Sequence, residues 1–233
     1  MRKKVLCTIC ARKESRGLKN KNFFTLINKP LIYYTIDQAA KIKDFSKIVV
    51  SSNSKKILKI TKKKVDLCIK RPEKYSNDFS SKIGAIRHAL QSAEKKFNTK
   101  FDIVVDLDVT SPLRKVEDIK KALNFFLKNN SGNLVSGSVA KKNPFFNQVM
   151  YKKGYLDLVC NSKKKIVRRQ NTPKVYDLNA SIYIWGRNNI LNSKKLINKK
   201  TIFFKMPYLR SIDIDDEFDF ELVKFILKKK LNN

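Results

Sequence analysis

The chain has 233 residues, of which 42% are hydrophobic, and carries 52 Lys+Arg against 20 Asp+Glu, a formal net charge of +32. That apolar content supports a real core and argues against disorder, while the charge points to a polyanionic partner: nucleic acid, anionic lipid or a highly charged small substrate. Lysine is scattered among many Asn and Ile, as compositional drift in an AT-rich genome would produce. A nucleic-acid reader motif, or aromatics interleaved in one basic stripe, is missing, so drift plus an anionic substrate is the better reading and no specific nucleic acid is expected.

Four cysteines (Cys7, Cys10, Cys68, Cys160) are too few for a disulfide framework in a chain of this size. Cys7 and Cys10 have C-x-x-C spacing but fall in an expected buried strand, which would point them to opposite faces. The basic start is followed by an apolar run too short for a signal peptide. No stretch is long enough to span a membrane, and a reducing cytoplasm is the expected location.

In chain order, Lys4 to Cys10 is a continuous apolar run, the pattern of a strand buried on both faces. A loop follows, A-R-K-E-S-R-G-L-K-N-K-N, with Arg12, Arg16, Lys19 and Lys21 around the single Gly17. Such a loop can wrap cations and backbone N–H groups around a polyphosphate, and it reads equally as a solvated basic turn. Pro30 suits the first turn of a helix. Residues 48–52 read as a second strand, with Asn53 placed to cap the next helix, and 65–69 as a short third strand. A long helix is expected from Phe79 to Phe97, burying Ile83, Ile86, Ala89, Leu90 and Ala93. Strands at 101–107 and 134–139 flank a helix from Val116 to Leu127. Residues 141–177 lose periodicity, as in an arm that packs on another subunit. Strands at 181–185 and 201–206 and a helix from Glu217 close the chain. Alternating strands and helices define an α/β domain with a mostly parallel sheet covered on both faces, its ligand site beyond the carboxyl ends of the strands. With no internal repeat or linker, 1–233 reads as one domain.

Acidic residues are scarce, so their clusters carry information. Asp213 and Asp215 stand two apart on an extended segment, which sends both carboxylates to one side, where they can share Mg²⁺. Asp215 or Asp216 can also cap the following helix. Asp106 and Asp108 repeat the spacing at the end of the fourth strand, ahead of a turn presenting Thr110, Ser111 and Arg114. Arg71-Pro72, with Ser80 and Ser81 beyond it, can read a base edge, while Asp78 can cap the next helix. His88 is the only histidine, inside the long helix and without a second His or a plausible nucleophile partner, so triad chemistry is disfavoured and metal-assisted phosphoryl transfer is the chemistry left standing.

These blocks together resemble the acylneuraminate cytidylyltransferases. The family's A-R-x-G-S-K-G-x-x-x-K-N opening corresponds to Ala11, Arg12, Ser15, Arg16, Gly17, Lys21 and Asn22, followed by Lys29 to Ile36. Arg71-Pro72 and His88-Ala89-Leu90 match next, then Val109 to Arg114 against P-T-S-P-L-R. Arg169, Gln170, Pro173, Tyr176 and Asn179 match a later segment, and Ile212 to Asp215 the closing I-D-I-D. The matches run in order over nearly the whole chain.

The resemblance implies a Rossmann-like nucleotidyltransferase fold and a homodimer whose protruding arms reach across to the partner's site. The reaction would join CTP to an acidic nine-carbon α-keto sugar, giving a CMP-sugar and pyrophosphate for surface glycans. Arg12, Lys21 and Asn22 would hold the triphosphate, with Ser15 and Arg16 beside them. Arg71, Ser80 and Ser81 would lie at the cytidine, and Asp108, Thr110, Ser111, Arg169 and Asn179 at the sugar. Asp213 and Asp215 would carry Mg²⁺, and with Arg12 and Lys21 form the catalytic group.

Three positions depart from the pattern. Glu14 replaces a loop glycine, Arg16 replaces a lysine, and Asp108-Val109 stands where Gln-Pro is usual. An acid at 108 replaces a donor by an acceptor. That points to a related nonulosonic acid of the legionaminic type, or to Asp108 as a second metal ligand. The eight-carbon acid KDO is the rival substrate, and a basic nucleic-acid-binding protein is the rival of another class.

Overall fold

A six-residue uncharged strand, β1 (Val5–Cys10), forms the middle of a seven-stranded sheet. The computed structural model describes residues 3–13, 21–77, 80–129, 131–162 and 166–231. After β1 a two-stranded ribbon, β2 (Thr25–Leu26) and β3 (Lys29–Pro30), leads into α1 (Leu31–Ala40). Pro30 occupies the cap position just before the helix rather than its first turn.

Next come β4 (Phe45–Ser52), α2 (Lys55–Thr61), β5 (Leu67–Lys70) and α3 (Lys82–Phe97). Ser54, not Asn53, caps α2 by accepting from Ile57 N at 3.4 Å, and Asn53 instead accepts from Lys13 N at 2.8 Å. The third strand starts later than the apolar pattern suggests because Asp66 turns back onto β4, accepting from Ile48 N at 2.8 Å. α3 begins at Lys82 rather than Phe79, since Ser81 supplies the cap by accepting from Gly84 N at 3.1 Å. The proposed cap Asp78 lies outside the described residues.

The chain continues through β6 (Ile103–Leu107), α4 (Val116–Asn129) and β7 (Asn133–Val139). A small hairpin follows, β8 (Val149–Lys152) and β9 (Tyr155–Leu158), then β10 (Tyr176–Gly186), α5 (Arg187–Asn192), β11 (Thr201–Lys205) and α6 (Glu217–Leu231). Lys153 (φ 51) and Gly154 (φ 88) make the two-residue turn of the hairpin, the left-handed pair that such turns require.

The strand order is β11-β7-β10-β6-β1-β4-β5. β5, β4, β1 and β6 run parallel, β11 is parallel to β7, and β10 runs antiparallel between β6 and β7. β10 is longer than expected: Tyr176–Leu178 already pair with Val139–Gly137, inside the segment read as arm. Between Leu178 and Tyr183 the pairing shifts register, and Ala180 there has φ 50. Alternate residues of β1 feed two cores. Val5, Cys7 and Ile9 pack with α1, α4 and α6, whereas Leu6 packs with the α3 residues Ile83, Ile86, Ala89, Leu90 and Ala93. The opposite-face reading of Cys7 and Cys10 holds, and both are free thiols. The parallel strands therefore end on one rim, and β10 enters the sheet at that same rim.

Candidate active site

The rim carries a cavity of about 420 Å³. Arg12, Lys21 and Asn22 border it from the first loop, Arg71, Ser80 and Ser81 from the segment after β5. Asp108 and Thr110 border it after β6, and Asp213 and Asp215 before α6. The structure thus brings together ten of the residues singled out from the sequence. Glu14, Ser15 and Arg16 lie outside the described residues.

Short local bonds set each wall. Asn22 Nδ2 donates to Arg12 O at 2.9 Å, tying the ends of the basic loop. Lys21 Nζ reaches across to the far end of the chain, donating to Ile214 O at 2.6 Å and Asp215 Oδ1 at 3.0 Å. Asp215 remains 75% exposed. Asp216 is the helix cap: it accepts from Asp219 N at 2.9 Å, while Asp219 accepts from Asp216 N at 3.3 Å. That reciprocal cap leaves Asp213 and Asp215 for other work.

Arg71 is only 6% exposed, and its Nε and Nη2 have no protein partner. A buried guanidinium left with spare donors beside a cavity is suited to a ligand with acceptor atoms. Tyr75, also on the cavity wall, stacks on His88 with ring centroids 5.1 Å apart. Burial and the nearby cations Arg71 and Lys74 hold His88 below its usual range, so it stays a neutral packing group.

Asp213 Oδ1 is buried without a partner. Burial, then the charges of Asp108 and Asp215, push its carboxyl up to about 6. An orphaned carboxylate oxygen beside a second carboxylate is a site that a divalent cation would relieve. Among the described residues no three His, Cys, Asp or Glu side chains gather into a complete cage. The donor set fits a hard cation that takes one or two carboxylates and completes its shell with phosphate and water, as Mg²⁺ does.

Asp108 is otherwise engaged. Its Oδ1 accepts from Thr110 N at 3.2 Å and Thr110 Oγ1 at 3.0 Å, and its Oδ2 accepts from Lys82. Burial alone would raise the Asp108 carboxyl, but the Lys82 ammonium and the Thr110 donors outweigh it and hold it down at about 2. The acid is a fixed anion paired to a lysine, which disfavours it as a second metal ligand. Lys82 also lies 3.4 Å from Asp106 Oδ2 and 4.8 Å from the Tyr183 ring centroid. Asp106 is fully buried and accepts from Thr8 Oγ1 at 2.7 Å, and its carboxyl is raised by burial. Sequence reasoning missed Lys82, one lysine among many; its signal was its place directly after the cap serine of α3.

Three residues expected at the sugar are not on the cavity wall. Ser111 is fully buried. Asn179 is buried too, accepting from Ser136 Oγ at 2.7 Å and Ser181 N at 3.1 Å, so it supports the register shift of β10. Arg169 lies on an exposed turn, donating to Lys141 O at 2.7 Å. Arg114 is a hub beneath the cavity, donating to Ser181 O at 2.6 Å and Thr35 Oγ1 at 3.2 Å.

A parallel α/β sheet whose rim sets cationic side chains opposite a pair of carboxylates is the arrangement of a nucleotidyltransferase. The chain belongs to the cytidylyltransferase family, whose sequence model (Cytidylyltransferase) matches residues 6–222. It is 39% identical over 227 residues to the post-translational flagellin modification protein B of Campylobacter coli, covering 97% of this chain and 96% of that one. It is 38% identical to the CMP-N,N'-diacetyllegionaminic acid synthase of Campylobacter jejuni, with the same coverage. In fold it is similar to a solved CMP:2-keto-3-deoxy-manno-octonic acid synthetase complexed with CTP. That likeness has a TM-score of 0.67 at 14% identity, over 97% of this chain and 99% of that one. Among the described residues no helix is long and apolar enough to cross a membrane.

Proposed function

We propose that the protein transfers CMP from CTP to a nine-carbon α-keto acid sugar of the legionaminic or related nonulosonic type, releasing pyrophosphate, in the cytoplasm. The observation that carries the reading is the meeting of Lys21 and Asp215, hydrogen-bonded at 3.0 Å on the wall of one cavity, with the partnerless oxygen of Asp213 on the same wall. The 38% identity to a CMP-N,N'-diacetyllegionaminic acid synthase supports the choice of sugar class. The likeness to the octonic acid synthetase is one of fold alone, so it does not favour KDO.

In this mechanism the sugar's anomeric hydroxyl attacks the α-phosphorus. The new P–O bond forms as the bond to the bridging oxygen breaks, the electron pair leaves on pyrophosphate, and the hydroxyl proton passes to water. Arg12, Asn22 and Lys21 hold the triphosphate, Lys21 exchanging its contact with Asp215 for phosphate oxygens. Ser15 and Arg16 complete that loop. Arg71 meets the cytosine with its spare N–H groups, and Ser80 and Ser81 border the same end. Mg²⁺ held by Asp213 and Asp215 would supply charge neutralisation for the departing pyrophosphate. Thr110 and Asp108 face the sugar. Ser111 and Asn179 support that wall from behind.

The chain acts as one domain, 1–233, with the hairpin-bearing segment as a dimerisation arm. Val149, Met150, Tyr151, Tyr155 and Leu156 of that segment are exposed, as a surface awaiting a second copy would be. Arg169 would then serve the partner's sugar carboxylate.

Pyrophosphate release from CTP and Mg²⁺ with N-acetylneuraminate, N,N'-diacetyllegionaminate, pseudaminate and KDO tests the reading. Release is expected with a nine-carbon acid; release with KDO alone, or with none, refutes it.

A further inference from the structure

α6 is apolar on two sides. Inward, Phe220, Val223, Ile226 and Leu227 pack on the core shared with α1 and α4. Outward, Phe218 is 75% and Phe225 57% exposed, on the side of a 15-residue helix that normally turns polar residues to water. Phe218, Leu222, Phe225 and Lys229 follow one another at spacings of four, three and four, the stripe that one helix presents to another. Neither phenylalanine borders the active-site cavity. The stripe is therefore a second apolar face that the nucleotidyl-transfer site does not use.

The charges beside the stripe identify what covers it. Glu217, Glu221, Lys224 and Lys228 run along one flank at the same spacing, acidic in the first half and basic in the second. Within the helix Lys224 already donates to Glu221 at 2.8 Å. A uniformly anionic surface would attract the second half and be repelled by the first. A helix with the opposite order of charge suits both halves, and α6 turned end for end has that order. A twofold axis between two antiparallel copies brings the same flank of each together. Glu217 and Lys228 stand equally far from the midpoint between Leu222 and Val223, as do Glu221 and Lys224. Each acid thus meets a lysine of the other copy at the same height. In that register Phe218 of one copy lies within about 3 Å in height of Phe225 of the other. We propose that the outer face of α6 is an interface with a second copy of this chain, the phenylalanines interleaving along an antiparallel helix pair and the flank charges fixing its register. The exposed hairpin surface belongs to β8 and β9, so pairing through both surfaces makes a tetramer and pairing through α6 alone a dimer. The net charge of +32 opposes any meeting of copies, but it is screened beyond about 8 Å at physiological salt.

The test is sedimentation equilibrium of the full chain at physiological ionic strength. Phe218→Gln combined with Phe225→Gln is expected to halve the mass of the largest species while the far-UV circular dichroism stays the same. Glu217→Lys alone, and Lys228→Glu alone, each place like charges together at both ends of the pair, and each should raise the dissociation constant of the α6 contact about tenfold. An equal mixture of those two variants restores every opposite pairing and should reassociate as tightly as the unaltered protein. A mass that the phenylalanine variant leaves unchanged, or an unaltered protein that stays a monomer throughout, would overturn the interface. Failure of the mixture to reassociate would overturn the antiparallel register. Phosphatidylglycerol vesicles that pellet the unaltered protein but not the phenylalanine variant would make the occupant a lipid surface and overturn the pairing.

Discussion

Arg210 grips Asp118 through two parallel hydrogen bonds, Nε to Oδ2 at 2.8 Å and Nη2 to Oδ1 at 2.9 Å. Asp118 is buried in the first turn of α4, where its Oδ2 also accepts from Lys115 N at 2.9 Å. The pair fastens the turn at Tyr208–Arg210 to α4 just before the chain reaches Asp213. Arg210→Ala leaves a buried carboxylate short of two bonds. The expected cost is about 2–3 kcal/mol, below that of a fully buried pair because Arg210 is partly exposed. The urea midpoint should fall with an unchanged slope. An unchanged midpoint would mean that the turn is held by its backbone alone.

Asp213 links the metal reading to pH. Its folded pKa of about 6 lies above the ordinary value of 3.8, so the folded chain binds more protons than the unfolded one between those values. Stability contributed by this group is therefore lost as pH rises from about 4 to about 6. A divalent cation should reverse that loss, so Mg²⁺ is expected to raise Tm more at pH 7 than at pH 5. Asp213→Asn should remove both the pH step and the Mg²⁺ response, and lower turnover by about a hundredfold or more while the fold persists. A Tm shift with Mg²⁺ that survives in Asp213→Asn would place the cation elsewhere.

Gly137 sits where β7, β10 and β11 crowd together. A Cβ there would stand 2.8 Å from the Phe203 ring and closer still to the Asp177 carbonyl. The ring can swing, but the carbonyl belongs to the β10 backbone paired opposite. Gly137→Ala should therefore cost about 1–3 kcal/mol and loosen β10 near Tyr176. Amide hydrogen exchange along Tyr176–Leu178 should rise well above that along Tyr183–Trp185; equal protection would mean that the strands shift to make room.

The buried strands and α3 were legible because their signals are local: short runs made mostly of apolar residues for β1 and β6, and a helical stripe from Ile83 to Ala93. The early start of β10 was not, since Tyr176 to Asn179 read as polar and exposed and are held there by cross-strand partners distant in sequence. Asn53 and Ser54 are both good caps, and only the tie from Asn53 to Lys13 separates their roles. At the site, the Asp213–Asp215 spacing and the basic loop were visible as short motifs. Lys82 was hidden by abundance, and its role emerges only once α3 is laid against the ends of β6 and β10.

The contact from Lys21 to Ile214 and Asp215, with Ile214 N donating to Thr110 O at 2.9 Å, joins the first loop, the middle turn and the approach to α6. On the ribosome these segments emerge in a fixed sequence. The early strands can pair while synthesis continues, but the phosphate side waits for the segment that faces it. A chain that stops after Lys205 has all seven strands of the sheet and still lacks the Asp213–Asp215 wall that faces the first loop.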